Sequence, residues 1–206
     1  MYETFTVNEN VVLGPWTSYS MQTDPKHMAF VLSRYKFCSK MLRNYNNILE
    51  VGCGDAFGAS ILAQDNELLV GIDNDDVLES NKSRVKNEKI NFASHDILSG
   101  PYISNNKFDA AVSIDVIEHI EPSSEDIFIE NIINSLSDKS MVIIGTPNVT
   151  SVVYASPQSK YYHINLYSHD KLNNLMKKHF THVLNFGMND EIVHTGFGPM
   201  CHYLRS

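Results

Sequence analysis

No run of apolar residues in this chain approaches the roughly 18 that a membrane-spanning helix needs, so insertion into a membrane is not expected. Basic residues never gather into a block that could track a phosphate backbone. Lys and Arg number 16 against 24 Asp and Glu, a formal charge of -8, which disfavours a nucleic-acid partner. Cysteine is scarce. Cys38, Cys53 and Cys201 are too widely spaced for a zinc pattern and too few for an even disulfide framework. That points to a reducing, cytoplasmic compartment. The nine histidines show no compact ligand spacing either, so no metal ion is expected. Met1 to Asn10 is polar and acidic, and a signal peptide is not expected. No internal repeat, low-complexity tract or linker divides the 206 residues, and a single domain is expected.

What the chain does have is a glycine-rich turn at residues 48–58, Ile-Leu-Glu-Val-Gly-Cys-Gly-Asp-Ala-Phe-Gly. Ile48, Leu49 and Val51 read as the end of a buried parallel strand, with Glu50 at its carboxyl edge. Ala59 to Leu69 contains a helical apolar pattern. Gly52, Gly54 and Gly58 thus fall between a strand and a helix, where an open α/β sheet binds nucleotide-like ligands. A dinucleotide fingerprint would place its third glycine at position 57, and Phe57 stands there instead. The spacing opposes a nicotinamide-dependent oxidoreductase. Cys53, inside the turn, has no neighbouring base in sequence and reads as a small packing residue.

Taken in order, residues 1–46 are an irregular start followed by a helix. Asp24 is its N-cap, Pro25 its first residue, and apolar spacing carries it to about 43. Residues 47–148 alternate strand and helix: strands at 47–51, 68–72, 90–93, 108–113 and 141–144, with helices near 76–86 and 123–136. Residues 149–168 are rich in Tyr, Ser and His without a long apolar period, as expected of a lid or binding loop. A helix at 168–178 precedes two closing strands at 182–188 and 200–204. The sum is an α/β, Rossmann-like, doubly wound and mostly parallel sheet of seven strands, with an antiparallel edge strand and helices on both faces.

The carboxyl ends of the first four strands carry Glu50, Asp73, Asp96 and Asp115. Asp73 lies 19 residues after Gly54, where an acid can accept bonds from both ribose hydroxyls. Asp96 can take an adenine amino group while Ile97 covers the ring, and Asn74 can lie along the adenine edge. Asp115 closes the fourth strand at the same edge. The E-x-G-x-G-x-x-x-G run and these acids resemble the motifs of class I S-adenosylmethionine-dependent methyltransferases over residues 48–148. The resemblance implies S-adenosylmethionine as cofactor, held by Glu50, Gly52, Gly54, Asp73, Asn74, Asp96, Ile97 and Asp115. Asp115-Val116-Ile117-Glu118-His119 looks like a segment of the quinone-biosynthesis O-methyltransferase branch. Asp24-Pro25-Lys26, Arg34-Tyr35-Lys36-Phe37, His163-Ile164-Asn165-Leu166 and His194-Thr195-Gly196 resemble small bacterial methyltransferases of surface-glycan pathways.

A sulfonium is an activated donor, so the protein chiefly aligns an acceptor with the S–CH3 bond. A hydroxyl acceptor also needs a base, and His119, His163 and His194 are the candidates. Tyr161, Tyr162 and Tyr167 form either an aromatic wall or core. Arg34 reads as an exposed helix arginine, or as a ligand for a carboxylate. Glu118 reads as a turn residue. The expected activity is methyl transfer to a small polar acceptor, a hydroxyl of a sugar or glycan precursor. A quinone-like phenol, a phosphorylated amino alcohol, or a non-catalytic cofactor-binding role stand as alternatives. Oligomeric state is not legible.

Overall fold

The computed structural model describes residues 10–105 and 107–188. By contacts the chain divides into two units, 1–168 and 169–206. The first is a parallel five-stranded sheet with surrounding helices. Its strands are β1 (Asn47–Val51), β2 (Leu68–Asp73), β3 (Ile90–Ser94), β4 (Phe108–Ile114) and β5 (Leu136–Gly145). Their spatial order is β3-β2-β1-β4-β5, every pair parallel. Adjacent residues Ile48 and Leu49 are both fully buried, as are Ala110 and Val112 on β4, with Ala111 almost so. Neighbouring side chains on a strand point to opposite faces, so both faces of the sheet are covered.

Two helices lead the chain, α1 (Pro15–Thr23) and α2 (Pro25–Met41). The first was not expected; Gly14-Pro15 reads as a turn, but proline at the first helical position instead opens a helix. The start of α2 is as the sequence implies, with the Asp24 side chain accepting from the His27 N–H. Tyr35, Cys38 and Leu42 pack with Ile48, Ala59, Leu62, Ala110 and Val112 in one core cluster.

The helix expected after the glycines is cut short: α3 spans Ala59–Leu62 only. Beyond it, the Asn66 side chain is buried and donates to the carbonyls of Leu42 and Tyr45, closing the C-terminal end of α2. Next come α4 (Val77–Arg84) and, after a 3-10 turn at Pro122–Ser124, α5 (Glu125–Asn134), which buries Phe128, Ile129 and Ile132. Strand β5 begins five residues earlier than expected because its ladder with β4 shifts register between Phe108 and Ala110, which accommodates polar residues 137–140.

The stretch 149–168 is not structureless. It holds a 3-10 segment, Val149–Tyr154, and α6 (Pro157–Tyr162), whose N-cap Ser156 accepts from the Ser159 N–H. In the second unit, α7 (His169–His179) matches expectation. Residues 182–188 carry no regular secondary structure, and the expected strand there is absent. The other closing strand, 200–204, lies outside the described residues, as does His194. Among the described residues, no helix is long and apolar enough to cross a membrane.

Candidate active site

The chain reverses its direction across the sheet between β1 and β4, and a cleft of about 350 Å³ opens at the strands' carboxyl ends. Its lining includes Gly52, Gly54, Asp73, Asn74, Asp96, Ile97, Asp115 and His119, together with Trp16, Val116 and Phe128. Seven of the eight residues expected to hold a cofactor therefore meet at one place. Glu50 does not line the cleft; its carboxylate is buried and Oε1 accepts from the Tyr35 hydroxyl at 2.8 Å. Burial, with Asp73 adding repulsion against the Tyr35 bond, pushes Glu50 up to about 7.

The turn needs its glycines. Gly52 and Gly54 have φ of 74° and 51°, and a Cβ on either would strike Val116 Cγ2 at 2.3 Å or the Trp16 ring at 2.8 Å. The Asp73 carboxylate fixes the turn from β2. Its Oδ2 accepts from the Gly54 N–H at 2.8 Å and its Oδ1 from the Asp75 N–H at 3.1 Å. Each oxygen keeps a further lone pair for a ligand hydroxyl. The Asn81 side chain donates to the Gly54 carbonyl at 2.7 Å, and Arg84 donates to the Asp55 carbonyl at 2.9 Å.

Helix α1 is tied to this loop. Asp55 accepts from the Thr17 N–H at 2.7 Å and the Thr17 hydroxyl at 2.8 Å, which holds Trp16 against Gly54. Trp16 lies in the irregular start of the chain, where no spacing marks it, and Asp55 was not among the expected site residues. Asp55 occupies a variable position of the glycine motif, where no pattern marks it.

Asp96 is exposed and its Oδ1 accepts from the Leu98 N–H, while Ile97 is buried beside it. Asp115 sits at φ 57°, a left-handed conformation that a non-glycine residue rarely adopts. Arg34 Nη1 donates to it at 2.5 Å, with both side chains largely covered. Burial outweighs the guanidinium and raises the Asp115 carboxyl. The exposed-arginine reading of Arg34 is therefore corrected. Its Nε is buried and has no hydrogen-bond partner among the described residues. A cleft carrying Asp73, Asp75, Asp96 and Asp115 suits a cationic ligand such as a sulfonium with an ammonium group.

Two of the three candidate bases come together. His119 and His163 stack edge to face with ring centroids 4.9 Å apart. The Nδ1 atom of His119 lies 3.0 Å from the Tyr162 carbonyl. A carbonyl only accepts, so Nδ1 carries the proton and the neutral ring keeps Nε2 as its acceptor. Burial, with His119 alongside, lowers the His163 pKa against the opposing pull of Asp115. Tyr167 is core, whereas Tyr154, Tyr161 and Tyr162 are exposed and line no part of the cleft. Burial holds the Cys53 thiol far above its ordinary value, in keeping with a packing role.

Residues 25–179 match the model of a methyltransferase domain. No curated protein matches the chain. Among solved structures it is similar to the plantazolicin methyltransferase BpumL in complex with a desmethylPZN analog and SAH, with 21% identity and a TM-score of 0.61; the alignment covers 79% of this chain and 67% of that one. It is also similar to the DhpI-SAH complex, with 15% identity, a TM-score of 0.51 and coverage of 62% and 61%. A third is N-methyltransferase NodS from Bradyrhizobium japonicum WM9, with 16% identity, a TM-score of 0.55 and coverage of 75% and 83%. The match over residues 25–179, on a fold with this cleft, shows that the chain belongs to the methyltransferase-domain family, as an S-adenosylmethionine-dependent methyltransferase of the Rossmann-like class.

Proposed function

We propose that this methyltransferase transfers the methyl group to a hydroxyl of a small polar acceptor, a sugar or glycan precursor. The observation that carries the reading is the His119–His163 pair at the rim of the donor cleft. A neutral amine accepts a methyl group without a base, whereas a hydroxyl must lose its proton. A histidine whose pKa is lowered stays neutral near pH 7 and can take that proton.

Bound S-adenosylmethionine supplies an activated methyl on a sulfonium. The chain's residues do the rest. Asp73 accepts the ribose hydroxyls, Asp96 and Ile97 hold the adenine with Asn74 at its edge, and Gly52 and Gly54 admit the ligand close to the backbone. Asp115 and Arg34 orient the methionine end: a carboxylate for its ammonium, a guanidinium for its carboxylate. Glu50 acts behind the turn, by ordering Tyr35. His163 or His119 positions and deprotonates the acceptor, and His194 remains a candidate outside the described residues. The negative charge and two buried, free cysteines favour a cytoplasmic enzyme without a nucleic-acid partner.

The test is calorimetry with S-adenosylhomocysteine, then an acceptor screen read by homocysteine release. Asp73→Ala should lose two ribose bonds at about 1 kcal/mol or more each, weakening binding on the order of tenfold or greater. His163→Ala should keep cofactor affinity and lose turnover by roughly 10²-fold. Methylation of amines with no hydroxyl acceptor found, or normal turnover by His163→Ala, would overturn the hydroxyl reading.

A further inference from the structure

Sequence spacing gives no metal-ligand pattern, yet the fold assembles one. Glu118 and His119 lie on a 3-10 turn after β4, and His163 directly follows α6. One ligand atom from each lies within 4.8 Å of the others. We propose that Glu118, His119 and His163 bind a divalent first-row transition cation, such as manganese(II), at the rim of the donor cleft. The proposal rests on the methyltransferase reading of the cleft but changes the role of the two histidines from bases to ligands.

Two observations beyond proximity support a built site. Glu118 is fully buried, and its Oε1 has no hydrogen-bond partner among the described residues. A buried carboxylate oxygen left unpaired calls for an explanation, and a bound cation is one. Its other oxygen, Oε2, accepts from the Thr146 hydroxyl at 2.9 Å. The second observation concerns the histidine. Metal-bound histidines donate their other ring N–H to a carbonyl or carboxylate. The 3.0 Å contact from His119 Nδ1 to the Tyr162 carbonyl has that form and leaves Nε2 free to ligate. Two imidazoles and one carboxylate suit manganese, cobalt or zinc better than calcium. Cis ligands around such an ion stand roughly 3.0–3.5 Å apart. The half-buried His163 side chain can close the remaining distance by rotation.

His119 belongs to both the cluster and the cleft lining, so the cluster borders the donor cleft. A cation there lowers the pKa of a bound hydroxyl. The hydroxyl proton passes to water, and the acceptor oxygen bonds to the methyl carbon. The C–S bond breaks with its electron pair on sulfur, giving the thioether product.

The cation alone, without cofactor or acceptor, is the probe. Metal-stripped protein is titrated with manganese(II) chloride by calorimetry, and with cobalt(II) chloride by visible absorption. Expected is saturable binding of one equivalent, with cobalt bands typical of nitrogen ligation. His119→Ala and His163→Ala should each weaken the cation at least tenfold. Binding of S-adenosylhomocysteine to His163→Ala should be unchanged. Glu118→Gln tests the buried ligand, and the two histidine variants keep the test decisive if it fails to fold. Absence of one-equivalent binding at millimolar cation overturns the proposal. Cation affinity unaltered in both histidine variants does so as well. Failure of the wild type to bind S-adenosylhomocysteine would instead strike the reading of the cleft.

Discussion

Glu50 shows how a residue can belong to a motif without touching its ligand. It sits one position before Val51 in β1, yet its side chain ends in the core against Tyr35. Burial raises its pKa from the ordinary carboxylate range to about 7. The folded state therefore holds this proton more tightly than the unfolded chain. Its stabilising contribution is complete below about pH 4.3, the unfolded value, and is lost as pH rises through about 7. The full swing is on the order of 3 kcal/mol. Denaturant unfolding at pH 5, 6 and 7.5 should show the wild type losing stability with rising pH. Glu50→Gln, which keeps an acceptor for Tyr35, should lose at least about 1 kcal/mol less over that range. Parallel curves for the two proteins would refute the assignment. Glu118, also raised to about 7 by burial and by Asp115, gives a second and independent share of the same slope.

At the scale of elements, α1 and the glycine loop form one unit across the cleft. Two hydrogen bonds from Thr17 to Asp55, and the Trp16 ring against Gly54, are what join them. Trp16 is the chain's sole tryptophan and is about half exposed, so its fluorescence reports on this cleft alone. S-adenosylhomocysteine should shift or quench that emission. Asp55→Ala removes both acceptor contacts and frees α1, at about 1 kcal/mol per bond. Cofactor affinity should fall roughly five- to tenfold, and the fluorescence response should shrink. An unchanged response would mean that α1 does not cover the ligand.

At the scale of the molecule, the family match over residues 25–179 crosses the boundary between the two contact units. If the chain is one domain, calorimetric unfolding should give one transition. S-adenosylhomocysteine at about 100 times its Kd should stabilise it by about 2.7 kcal/mol, raising Tm by roughly 5–11 °C for a chain of this size. Two transitions, with only one moved by ligand, would divide it. What the sequence determined by itself was local or periodic. Glycines with no Cβ, carboxylates at strand ends and the alternation of strand and helix are set by backbone sterics and hydrophobic spacing. Hence the five parallel strands, the glycine turn and the acids of the donor cleft were legible. Tertiary structure decided what depends on residues far apart in the chain. Arg34 reaches Asp115 across 81 positions, Thr17 reaches Asp55 across 38, and His163 packs on His119 from a separate segment. The Asn66 side chain reaches the end of α2, and Glu118 is sealed with an oxygen that has no partner among the described residues. No spacing rule encodes such pairs, because the distance between two side chains in space is set by how whole elements pack.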